Sequence, residues 1–70
     1  MFKMKIREQV NIQDRTLLAG EGEYDHVPGN VIIDGKKYTV LGLSLGVLPP
    51  MISLEIEKTD DKLTGSVISE

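Results

Sequence analysis

Residues 28–45, PGNVIIDGKKYTVLGLSL, hold the two strands whose pairing can be read directly from the letters. Asp34-Gly35 is a two-residue hairpin turn. To follow the twist of its strands both residues take positive φ, which Gly adopts freely and Asp tolerates better than most. The register follows: Ile33 faces Lys36, Ile32 faces Lys37 and Val31 faces Tyr38. One face then carries Val31, Ile33, Tyr38 and Val40, and the other carries Ile32, Thr39, Leu41 and Leu43. Apolar residues crowd both faces, which predicts a hairpin inside a closed or doubly covered sheet.

Working outward, Phe2, Met4 and Ile6 alternate with Lys3, Lys5 and Arg7. This period of two marks a half-buried strand with its basic residues in water. The even parity is expected to resume at Val10 and Ile12, past a bend or bulge at Glu8-Gln9. Residues 11–15 read as a connection and residues 16–24, TLLAGEGEY, as the next strand. Gly20 and Gly22 share parity with Leu18 and Tyr24, so one face of that strand loses two successive side chains. Such spacing suits sharp coiling or the close approach of another backbone. A phosphate-binding glycine loop is disfavoured, because GEGEY opens no helix and carries two carboxylates.

After a turn at residues 25–30 and the hairpin, the segment Leu45-Gly46-Val47-Leu48-Pro49-Pro50-Met51 changes character. Pro-Pro cannot join a ladder. It is a loop, but one bearing Leu45, Val47, Leu48 and Met51. The expected fate is a lid folded across an open end of the barrel, and the alternative is an exposed patch that meets a protein partner. Ile52, Leu54 and Ile56 then alternate with Ser53, Glu55 and Glu57 as a one-sided strand, and residues 63–68, LTGSVI, read as the last.

A chain of 70 residues is one domain with a thin core, spanning residues 1–70. No segment of helical length keeps a 3.6-residue apolar stripe, so the fold is read as all-β. Five or six short strands in so few residues would leave costly edges unless the sheet closes. The prediction is a small closed antiparallel β-barrel of about six strands. An OB-fold competes but lacks room for its usual helix in residues 45–51, and an SH3-like barrel stays open.

Taken in order, these segments carry a family resemblance. Gln13-Asp14-Arg15-Thr16 followed by Leu17-Leu18-Ala19-Gly20, the turn Val27-Pro28-Gly29-Asn30-Val31, and the tail from Ile52 to Ile68 resemble the second-domain β-barrel of translation GTPases such as elongation factor Tu. The likeness spans nearly the whole chain and implies that barrel as a stand-alone domain. In full-length factors the barrel packs on the GTPase domain and contributes to recognising tRNA or ribosomal RNA. Both glycines of the family's Gly-Arg-Gly-Thr turn are absent here, and the chain has no GxxxxGK[ST] loop. No binding residue carries over.

The residues themselves show little chemistry. There is one histidine, His26, read as a solvent-exposed turn residue, and there is no cysteine. With no nucleophile elbow and with carboxylates on outward parities or in turns, neither a catalytic set, a metal site nor a cofactor is expected. A net charge of −3 argues against broad affinity for nucleic acid. Lys3, Lys5 and Arg7 are the one basic strip that could meet RNA, but two Tyr and one Phe make a poor stacking platform. If their strand lies beside Glu55 and Glu57, the strip is neutralised. The absence of cysteine and of a long apolar stretch leads to the expectation of a soluble cytoplasmic protein without membrane contact.

Overall fold

The computed structural model describes residues 1–44 and 47–69, and among them the chain forms six strands. These are β1 (Phe2–Ile12), β2 (Arg15–Tyr24), β3 (Asn30–Ile33), β4 (Lys36–Leu43), β5 (Met51–Glu57) and β6 (Val67–Ser69). They hydrogen-bond in the order β3-β4-β5-β2-β1-β6, every neighbouring pair antiparallel. The outermost strands, β3 and β6, return against each other, so one sheet curls into a nearly closed barrel. At that junction Ser66 Oγ donates to the Asp34 carboxylate at 2.7 Å.

The hairpin has the register read from its turn: Ile33 opposes Lys36, and Val31 opposes Tyr38. Asp34 and Gly35 take φ of 53° and 82°. Val31, Ile33 and Tyr38 are buried, and Val40 packs on the core. The opposite face is not covered, because a barrel this small has one interior and Ile32 is left 54% exposed. Leu43 nevertheless turns inward. The β4–β5 register shifts between Val40 and Gly42, so Leu41 is an extra residue and the parity flips beyond it. Leu43 then opposes buried Leu54.

A second bulge changes β1. Its register with β2 shifts between Ile6 and Glu8, leaving Arg7 as the extra residue. Phe2, Met4 and Ile6 are buried as expected, but Val10 and Ile12 do not rejoin the core; Val10 is 50% exposed. Past the bulge the odd positions turn inward instead. Gln9 opposes buried Leu18 and Asn11 opposes buried Thr16. The connection to β2 is correspondingly short, only Gln13 and Asp14.

Gly20 and Gly22 oppose Ile6 and Met4. A Cβ at Gly20 would lie 1.8 Å from the Lys5 carbonyl oxygen, and one at Gly22 would lie 2.0 Å from that of Lys3. No side chain fits there, so the two glycines let β1 and β2 coil against each other closely enough to close the barrel.

One end of the barrel is closed by residues 58–66, not by the apolar loop before β5. Leu63 plugs it, buried but in a loop; Gly65 at φ 90° turns the chain, and the last strand shrinks to Val67–Ser69. Polar residues turned inward by the Arg7 bulge hold this segment. Gln9 Nε2 donates to the Asp61 carbonyl at 2.7 Å, and Gln9 Oε1 accepts from the Leu63 N–H at 2.8 Å. Thr16 Oγ1 donates to Asn11 Oδ1 at 2.5 Å and accepts from the Thr59 N–H at 3.0 Å.

Replacing Gly22 by Ala should destabilise the domain by about 1–3 kcal/mol or more, since the new methyl group meets backbone that cannot swing aside. A denaturant midpoint unchanged in Gly22→Ala would refute the close approach. Leu54→Ala should cost roughly 2–5 kcal/mol, whereas Ile32→Ala should stay within about 0.5 kcal/mol. Equal losses in urea melts would show that the inner and outer faces of the barrel are wrongly assigned.

Candidate functional site

The basic strip and the apolar loop, about forty positions apart in sequence, are brought to one side of the barrel. β1 presents Lys3, Lys5 and Arg7 outward. Their neighbours are not Glu55 and Glu57, because β5 pairs with β2 and β4. Across the ladder Lys3 faces Glu23 and Lys5 faces Glu21, and Arg7 Nε donates to Glu21 Oε1 at 3.0 Å. The strip is therefore interleaved with carboxylates of β2. Glu55 is engaged elsewhere. Ser44 Oγ donates to it at 2.7 Å and Arg15 forms a short ion pair with it, so its carboxyl titrates below the usual range.

The loop that opens β5 is solvent-facing where it is described. Leu48 is 80% exposed, and Val47 and Met51 are roughly half exposed. Leu48 stands clear of the core, against the lid reading for it; Val47 and Met51 are partly covered beside Leu43 and Ile52, and Leu45 lies outside the described residues. Met51 N–H donates to the Leu48 carbonyl at 2.9 Å, closing the turn around Pro49-Pro50, and Gly22 N–H donates to the Pro50 carbonyl at 3.0 Å. The loop is thus anchored to the C-terminal end of β2.

Two grooves flank this anchor. One, of about 530 Å³, is walled by Tyr24, Leu43, Val47, Pro49, Met51 and Ile52. The other, of about 390 Å³, is walled by Lys3, Lys5, Glu21 and Val67. They adjoin at Gly22, Glu23 and Pro50, an apolar and a charged compartment side by side that together make up the trough. Tyr24 and Leu43 were not legible as site residues. Tyr24 sits one step past the glycine-stripped face, where its ring stands 5.7 Å from that of buried Phe2, and Leu43 reaches the groove only because of the Leu41 bulge.

The charged residues at the far end serve the fold. The Asp61 carboxylate accepts from Tyr38 Oη at 2.6 Å and from Lys36 Nζ at 2.9 Å. These hydrogen bonds, the tyrosine's first, and one with Thr59 hold its pKa down to about 2. Bonding to Asp61, followed by burial, raises that of Tyr38. His26 is half exposed in its turn, with Nδ1 2.8 Å from the Asp25 carboxylate. Asp25 is drawn down to about 2 by the α-amino group of Met1 and then by His26. Among the described residues no cluster of three or more His, Cys, Asp or Glu is arranged to hold a metal ion, and no helix is long and apolar enough to cross a membrane.

Comparison with family models, curated proteins and solved structures finds no match. The trough must therefore be read from its own chemistry.

The Asp61 anchor has a pH signature. Its folded pKa lies below its unfolded value, so its contribution is present above about pH 4 and is lost as pH falls toward the folded value. Acid melts of wild type should lose stability across that window more steeply than melts of Asp61→Asn. Parallel curves for the two proteins would remove Asp61 from the set of anchoring groups.

Proposed function

We propose that this chain is a non-enzymatic cytoplasmic binding module that engages a partner protein through the trough beside the β4–β5 loop. In this reading it is a translation-factor-like β-barrel, similar to the second domain of elongation factor Tu-type GTPases and used as a stand-alone domain. The six-stranded, nearly closed antiparallel barrel is compatible with that likeness. The observation that carries the binding role is the loop itself. A small domain has little apolar surface to spare, yet Leu48 projects into solvent beside a groove lined by Tyr24, Val47 and Met51. Exposed apolar patches set in a polar rim mark sites of protein contact.

The RNA reading of Lys3, Lys5 and Arg7 is weaker on two counts. Arg7 is bonded to Glu21, and Glu23 stands opposite Lys3, so a phosphate chain laid along the strip meets carboxylates. Phe2 and Tyr38 are buried, leaving Tyr24 as the one accessible ring among the described aromatic residues.

Leu48→Ser combined with Met51→Ser should change the melting temperature little, because Leu48 faces water and Met51 is only half covered. The same pair should weaken a reconstituted complex with a purified captured partner by about tenfold or more. A fall in melting temperature with binding intact would return the loop to a structural role. Tight, salt-dependent binding of an RNA oligonucleotide instead would replace the protein partner with a nucleic acid.

A further inference from the structure

Resting on the reading of the trough as a protein-binding surface, we infer that its occupant is an extended segment of a partner. That segment places an apolar side chain against Val47, Leu48 and Met51 and a carboxylate on Lys3 and Lys5, about three residues away.

The sign of the charge follows from what remains unengaged. Of the two β2 carboxylates lining the charged compartment, Glu21 is bonded to Arg7. Glu23 remains, opposite Lys3. Neither lysine forms an ion pair within 4 Å among the described residues. With Arg7 beside the compartment counted, three basic side chains (Lys3, Lys5, Arg7) stand against two carboxylates (Glu21, Glu23), a net charge of +1 that a basic flank would meet unfavourably and an acidic flank favourably.

The spacing follows from the ladder. Met51 opposes Glu21 on β2, and Glu21 opposes Lys5 on β1. Met51 and Lys5 therefore lie in one row across three strands, two strand spacings apart, or roughly 10 Å. An extended chain covers that distance in about three residues at ~3.3 Å each. The row crosses β2 at Glu21, next to Gly22 and Pro50 where the two compartments adjoin, so the segment runs across the strands and adds to no edge. Two adjoining open compartments suit such a segment better than a compact small molecule, which favours a pocket that encloses it.

The test is selection from a random-peptide phage library on the intact protein, counter-selected with the Leu48→Ser/Met51→Ser variant. Anisotropy titrations of the selected peptides then follow. The expected motif has a large apolar residue and an Asp or Glu about three positions apart. Asp→Asn in the peptide, or Lys3→Ala or Lys5→Ala in the protein, should weaken binding by up to about fivefold each. That loss should vanish when salt is raised from about 0.1 M to about 1 M, which shortens the screening length from about 10 Å to about 3 Å. Peptides that need Leu48 and Met51 but carry neutral or basic flanks would overturn the acidic occupant while leaving the docking surface in place. No peptide dependent on Leu48 and Met51, or an RNA oligonucleotide that binds more tightly than any peptide, would overturn both.

Discussion

A 70-residue chain closes a barrel here because β1 and β2 approach each other more nearly than side chains at positions 20 and 22 would permit. β1 and β2 are the longest strands, and β5 and β6 are each built on one of them. If that pair were flat, β6 could not be carried round toward β3. Glycine is costly in a strand for its lost packing and its entropy, so two of them at alternate positions signify a geometric need. The bulge at Arg7 works with them, since an extra residue on one strand sharpens its bend and twist.

The same bulge decides what lies at each end of the barrel. By moving the inward parity from Ile6 to Gln9 and Asn11, it replaces apolar contact with amide groups at the end that residues 58–66 cross. A loop carries backbone donors and acceptors that cannot all be left dry, and Gln9 meets one of each. Among the described residues no buried side-chain polar atom lacks a partner. The other end, near Tyr24 and Met51, has no such amides and is where the apolar trough opens. The barrel thus has a polar end that is sealed and an apolar end that is not.

Much of this was legible in the sequence. Asp34-Gly35 declares its turn through backbone preference alone, and Ile52, Leu54 and Ile56 declare their face by strict alternation. Single-residue insertions resisted reading, because Arg7 and Leu41 look like ordinary members of their patterns, yet each reverses everything after it. The apolar loop misled for a different reason. Hydrophobicity says that a segment prefers cover, but not whether its own chain supplies it, and Leu63, a single residue in a polar stretch, was the plug instead. The neighbours of Lys3 and Lys5 required strand order, which local periodicity does not contain.

The junction between β3 and β6 has a dynamic consequence. Every other strand boundary is bridged by a backbone ladder, whereas among the described residues this one is spanned by packing and by the Ser66 to Asp34 hydrogen bond. Opening it sacrifices no main-chain pairing among the described residues, so the barrel's lowest-energy excursion is a slit along this line, with β3 and β4 moving together as a flap. The amides on the slit side of Ile32 and Val67 then exchange with solvent before those of β2, which is laddered on both sides. A closed barrel ordinarily hides all its edges, and this one keeps two of them folded against each other, in reserve.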